Sequence, residues 1–319
     1  MWRLFSQCKK YLDAYIRPRQ KLTELEQRID LLETLLLPKT YVTEKSHYLA
    51  LRENRRLLLR SGLSAPDIGW LKESLRERGL ELQRMHEVRG YDGLLEYIAV
   101  YIGTRGNMLK PLLSAMHNLN ASDRSFDLHI ERFARIQQST LTQFCAVLYN
   151  LGVFEAYSYD NEAKLITVSV AADGTYYQFF NGGWFERWVV FLIRDVIADI
   201  RQTTGAQIRS YPNVELRFPD GTIREIDCLI LSESSMYWIE CKSGEIDAGV
   251  KALRKLISSY GIVGCELLLI LGSDSWYKVQ RVSEMSGLRV FGERKLRKNL
   301  RVFLSGEVAS CEAHRDNEK

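Results

Sequence analysis

The stretch from Arg224 to Lys242 constrains this chain more than any other. Residues 224–231 and 236–242 both alternate with a period of two, and the polar run 232–235 (Ser-Glu-Ser-Ser) supplies a turn between them. A hairpin centred between Glu233 and Ser234 sets Asp227 opposite Glu240. Cross-strand pairs of that kind hold their Cβ atoms about 5 Å apart. Glu240 and Lys242 are two residues apart, so both project from one face of the second strand. The spacing therefore predicts two carboxylates and a lysine converging on one spot.

Like charges directly opposite each other destabilise a sheet unless something offsets them. A divalent cation does so most economically. Paired carboxylates suit Mg²⁺, which uses one or two protein carboxylates and leaves its other positions to water and phosphate. A lysine beside such an ion can orient an attacking water and neutralise charge developing on a phosphate. A solvated sheet face carries the same residue types, and that is the alternative. Against it, Ile226, Cys228, Ile230, Trp238 and Ile239 predict that both strands are buried, and Lys and Glu are rarely buried without partners.

Length and composition narrow the class. The 319 residues give room for two or three domains, and 46% hydrophobic with 26% charged residues is ordinary for a globular chain. A net charge of +4 permits a polyanionic partner without requiring one. The cysteines at 8, 145, 228, 241, 265 and 311 form no C-x-x-C pair and have no histidine at zinc spacing, which fits a reduced, cytoplasmic protein. No secretory leader is expected at the N-terminus, and the apolar runs are too short to span a bilayer, so no membrane partner is expected.

The N-terminal half reads as mainly helical. Leu22, Leu25, Ile29, Leu32 and Leu36 form a heptad seam within residues 1–40, with Lys21, Glu26, Arg28 and Glu33 at flanking positions. That pattern predicts a coiled-coil-like helix and a homodimer; packing on its own protein is the alternative. Residues 41–105 read as further helix, with the basic stretch Arg52, Arg55, Arg56 and Arg60 as a solvated face. Residues 106–175 predict a winged-helix-like module: helices at 109–117, 128–136 and 139–151, then strands at 156–159 and 165–170. Its last helix holds Phe144, Cys145, Val147 and Leu148 and few cations, which predicts packing rather than base reading.

Residues 176–305 read as an α/β domain. Gly182-Gly183 precedes a helix at 184–202, strands follow at 214–218, 224–231 and 236–242, and a helix spans about 246–260. A buried strand at 265–271, a shorter helix, a strand at 288–291 and a basic helix with Arg294 and Lys295 complete it. Residues 306–319 read as a disordered polar tail.

These residues carry a resemblance. Ile226-Asp227, then Glu240-Cys241-Lys242, resembles the PD-(D/E)xK (restriction-endonuclease-like) nuclease superfamily. With Gly182-Gly183-Trp184-Phe185-Glu186 and Ala252-Leu253-Arg254-Lys255-Leu256 added, residues 180–305 resemble the nuclease domain of CRISPR ancillary nucleases activated by cyclic oligoadenylates. The N-terminal half lacks the strand-rich sensor domain of those enzymes, so activation by a cyclic oligonucleotide is not implied. The resemblance implies a metal-dependent nuclease acting on DNA, in defence or repair. Asp227, Glu240, Lys242 and Glu186 would be catalytic. Mg²⁺ (or Mn²⁺) would be held by Asp227, Glu240, the Ile239 carbonyl and Glu186. Lys251, Arg254, Lys255, Arg294 and Lys295 are candidate phosphate contacts. The alternative function is a non-catalytic nucleic-acid-binding or scaffold protein built on a nuclease fold.

Overall fold

The computed structural model describes residues 68–85, 92–117, 119, 123–233, 235–243, 265–272 and 275–317. The heptad helix, the basic stretch at 52–60 and the helix at 246–260 lie outside the described residues. The elements in order are α1 (Ile68–Arg76), β1 (Glu81–Met85), α2 (Asp92–His117), β2 (Ser125–His129), α3 (Arg135–Asn150), β3 (Phe154–Asp160), β4 (Leu165–Val170), α4 (Gly174–Gln178), a π-helical turn (Phe179–Gly183), α5 (Trp184–Thr204), β5 (Ile208–Arg217), β6 (Ile223–Ser232), β7 (Met236–Lys242), β8 (Cys265–Leu271), α6 (Trp276–Ser286), β9 (Arg289–Gly292) and α7 (Leu296–Asn317). The chain divides into two units, and α2 contributes to both: Leu95–Thr104 to one, its remainder to the other.

In the unit containing Arg105–Tyr177, three antiparallel strands order as β2-β4-β3 beside α3. The turn between β3 and β4 is built by Asp160, whose Oδ1 accepts the main-chain N–H groups of Glu162 and Ala163 at 2.8 and 2.9 Å. Leu141, Phe144, Cys145, Val147 and Leu148 of α3 are buried, and Tyr157 of β3 donates its hydroxyl to the Thr142 carbonyl. One expected element is different. Residues 125–129 are a strand, in register with β4 from Ser125↔Ser169 to His129↔Leu165, and only a turn separates it from α3. Phe126, Leu128 and Ile130 alternate with a period of two, and pairing with the distant β4 secures the strand.

The second unit is built on a mixed six-stranded sheet, β1-β5-β6-β7-β8-β9. β1, β5, β6 and β7 pair antiparallel, whereas β7, β8 and β9 are parallel. The strand at 81–85 replaces continuous helix, because α1 ends at a left-handed Gly79 (φ +70°) and Leu82 packs with the apolar cluster on the sheet. That cluster joins Leu71 and Leu75 of α1 to Tyr211, Val214, Leu216, Leu229, Leu231, Met236, Trp238 and Leu267. β5 and β6 share a kink. Asn213 adopts φ +47°, and buried positions on β5 step from Tyr211 to Val214 instead of by two.

α5 and α7 are clamped by charge. Arg297 Nε donates to Asp195 Oδ2 at 2.6 Å, and Arg301 pairs with Asp199 at 3.1 Å, repeating the contact one turn on. α5 also receives Leu95–Thr104 through Gly103, whose added Cβ would lie 2.4 Å from the Trp188 ring. The polar-tail expectation is corrected as well: α7 continues to Asn317, since 307–313 lacks Gly and Pro and carries strong helix formers.

Candidate functional site

β6 and β7 meet in the register a turn centred between 233 and 234 imposes: Leu231↔Met236, Ile230↔Tyr237, Leu229↔Trp238, Cys228↔Ile239. The next step along would pair Asp227 with Glu240, and there the ladder stops. Asp227 Oδ2 instead accepts the Cys241 main-chain N–H at 2.7 Å. Asp227 lies opposite Asn213 (φ +47°), the one step that the β5–β6 pairing skips between Pro212↔Cys228 and Val214↔Ile226.

Glu240 and Lys242 lie on one face of β7, with Lys242 Nζ 3.2 Å from Glu240 Oε2. Glu240 is only 8% exposed, whereas the Lys242 side chain is 35% exposed and reaches toward solvent. Burial is the largest force on the site's acidity. It raises the Glu240 pKa to about 7, with the Asp227 charge adding to the rise and Lys242 opposing it. Burial also holds Asp227 above the usual carboxylate range, although the Cys241 N–H and Lys242 pull it down. For Lys242, burial alone would lower the pKa; Glu240 and then Asp227 outweigh it, and the ammonium is held above its ordinary value. Lys242 is therefore a charged donor at neutral pH, poorly suited to take a proton.

Glu186 arrives from the first turn of α5. Its placement depends on the π-helical turn before it, where Gly182 adopts φ +136°, a conformation side chains resist. A Cβ on Gly182 would lie 3.5 Å from the Ser243 hydroxyl, and Phe185 packs 3.5 Å from a Cβ built on Gly272. The start of α5 thus rests on the residues that follow β7 and β8. Burial, then the Asp227 charge, raises Glu186 to about 7, and Lys242 counteracts them. Glu225 acts electrostatically on both Glu186 and Asp227. No role is assigned to it from sequence, although its position two before Asp227 was the available signal.

Ile239 is fully buried and paired on both sides, with Cys228 and with Leu268. Arg294 and Lys295 are exposed in the turn before α7, not within it, and Lys295 has φ +61°. Arg297, within α7, is engaged by Asp195. Lys251, Arg254 and Lys255 lie outside the described residues. Among the described residues no group of three or more His, Cys, Asp or Glu is arranged to hold a metal ion. A pair of carboxylates, Asp227 and Glu240, is the donor set that fits an ion satisfied mainly by water and phosphate. No helix among the described residues is long and apolar enough to cross a membrane.

No family model matches the chain, and no curated protein matches it. Among solved structures it is similar to protein VC1899 from Vibrio cholerae, at 18% identity and a TM-score of 0.49, covering 74% of this chain and 60% of that one. It is also similar to Can2 from Sulfobacillus thermosulfidooxidans, solved in complex with cyclic tetra-adenylate, at 14% identity and a TM-score of 0.49, covering 72% and 59%. A protein of unknown function, AF1548, matches 36% of this chain and 66% of its own, at 16% identity and a TM-score of 0.24. The chain spans about 60% of the length of the first two, and at these identities and scores none of the three assigns an activity.

Proposed function

We propose that the protein is a metal-dependent nuclease of the PD-(D/E)xK kind, hydrolysing phosphodiester bonds in nucleic acid, with DNA as the expected substrate. The observation that carries the reading is the convergence at the end of β6 and β7. Asp227 is drawn onto the Cys241 amide, Glu240 is nearly buried, and the Lys242 ammonium stands 3.2 Å from Glu240. Asp227 and Glu240, which burial makes reluctant to ionise, are a pair that a divalent cation would relieve.

Asp227 and Glu240 would hold Mg²⁺ or Mn²⁺, with the Ile239 carbonyl and Glu186 completing or steadying the set. Such an ion supplies a water of lowered pKa and charge stabilisation at phosphorus. The Cys241 N–H holds one oxygen of the Asp227 carboxylate and would leave the other for the ion. Lys242 donates hydrogen bonds that orient the attacking water and offset charge on the phosphate oxygens. Glu186 would assist the ion directly or through a water. Lys251, Arg254, Lys255, Arg294 and Lys295 would hold the backbone.

Nicking of supercoiled plasmid with Mg²⁺ or Mn²⁺, with and without EDTA, tests this on wild type, Asp227→Ala and Lys242→Ala. The expected result is metal-dependent cleavage lost in both variants by at least about a hundredfold. Absence of cleavage on plasmid, single-stranded DNA and RNA, with no heat on Mn²⁺ titration, overturns the enzyme reading in favour of a binding scaffold.

A further inference from the structure

α6 carries a feature that the cluster on β7 does not account for. Val279, Val282 and Ser286 turn toward the sheet, where Val282 packs with Leu269 and Leu271 of β8. At the helix's start, Trp276 is 74% exposed and Tyr277 70% exposed. Two adjacent large rings turned outward are unusual, since Trp and Tyr are ordinarily well buried. Lys278 and Arg281 are exposed beside them, with Arg281 one turn on from Tyr277. The only carboxylate on this helix, Glu284, accepts a hydrogen bond from Gln280 at 2.8 Å.

The sheet puts these rings next to the candidate site. β7 and β8 are parallel, with Glu240↔Leu269 and Lys242↔Leu271 in register, and in-register neighbours share a face. The leucines that seat α6 are therefore the direct neighbours of Glu240 and Lys242, one strand spacing of about 4.8 Å away. β9 lies parallel beside β8, so α6 runs back along the sheet and its first turn stands at the Lys242 end. Gly272 N–H donates to the Lys242 carbonyl at 2.9 Å. From Gly272 to Trp276 the chain spans at most about 14 Å, even fully extended.

We propose that Trp276 and Tyr277, flanked by Lys278 and Arg281, form a stacking platform for unpaired nucleobases a few nucleotides from the Asp227–Glu240–Lys242 cluster. The proposal rests on the nuclease reading of that cluster and gives it a substrate class: single-stranded nucleic acid, or a strand with unstacked bases. Rings take any base through its π-face, and the two cations hold the backbone that carries it. The exposed cations on this helix, with Glu284 its only carboxylate and bonded to Gln280, favour an anionic polymer over a protein surface.

The test measures binding apart from cleavage. Full-length protein in EDTA is titrated against fluorescein-labelled oligothymidylate, an abasic strand of equal length and a blunt duplex, and binding is read by anisotropy. Trp276→Ala/Tyr277→Ala should weaken oligothymidylate binding by about tenfold or more per ring and leave the abasic strand nearly unchanged. Trp276→Phe/Tyr277→Phe should recover most of the loss. An oligouridylate arm separates DNA from RNA. The platform is overturned if wild type binds no single strand, if the alanine variant binds oligothymidylate as wild type does, or if it loses both strands equally. It is also overturned if the variant changes only the oligomeric state in sedimentation. Plasmid nicking by Asp227→Ala reads the nuclease proposal separately, so either can fail while the other stands.

Discussion

Asp173 and Asp227 make nearly the same hydrogen bond and end with opposite acidities. Asp173 Oδ1 accepts the Thr175 main-chain N–H at 2.8 Å, and Asp227 Oδ2 accepts that of Cys241 at 2.7 Å. The Thr175 bond holds the Asp173 carboxyl below the usual range, because that side chain is in water and loses little solvation. Burial overrides the same kind of bond at Asp227 and leaves its carboxyl above the range. One amide cannot replace a lost hydration shell when further carboxylates stand nearby. Asp173 serves stability at the start of a short helix. Asp227 carries a stability cost.

The widest separation between the two should come from removing charge at constant shape. Asp227→Asn keeps an acceptor for the Cys241 amide and deletes the repulsion. Plasmid nicking should fall by at least about a hundredfold while the melting temperature of metal-free protein rises. Asp173→Asn should leave nicking unchanged and lower the melting temperature only slightly. A fall in melting temperature for Asp227→Asn would mean that the carboxylate is a net support of the fold, and the contrast would collapse.

A second substitution separates the frame from the site. Gly103→Ala drives a methyl group to within 2.4 Å of the Trp188 ring. About 1–3 kcal/mol of stability should be lost, seen as a melting temperature lower by several degrees, with nicking per folded molecule unchanged.

The pH dependence sharpens the comparison, because the two kinds of carboxylate act with opposite signs. Glu240 and Glu186 have folded pKa values of about 7 against an ordinary 4.5. Raised values contribute stability that is complete below the ordinary pKa and is lost as pH rises through the folded one. The melting temperature of metal-free protein should therefore fall between about pH 5 and pH 8, and Glu240→Gln should flatten that fall. Asp173, held low, contributes in the other direction, with stability present above the ordinary carboxylate pKa and lost toward acid. Its substitution by Ala should cost under about 1 kcal/mol, read as a small change in melting temperature confined to neutral and higher pH.

How much of this was legible beforehand depends on the range of the interactions. The Asp220-Gly221 hairpin was readable, since Gly221 takes φ +84° and Asp220 Oδ1 accepts the Thr222 N–H within two residues. The β6–β7 register followed from the turn and the alternation, both local. The strand at 125–129 carried a period-two cue in Phe126, Leu128 and Ile130, but its partner, some forty residues on in β4, was not readable. Nor was the strand at 81–85, which pairs with β5 more than a hundred residues away. The Arg297–Asp195 contact was not readable, since its partners lie about a hundred residues apart.

By itself, the sequence determined which side chains stand at the end of the β6–β7 hairpin, because a period of two and a tight turn leave little freedom in register. Only the tertiary structure decided what those side chains experience. The kink at Asn213, the Gly182 turn that aims Glu186, and the α6 helix seated on Leu269 and Leu271 all come from distant segments. Burial and neighbouring charge set acidity, and both are properties of the packed chain rather than of any stretch of it.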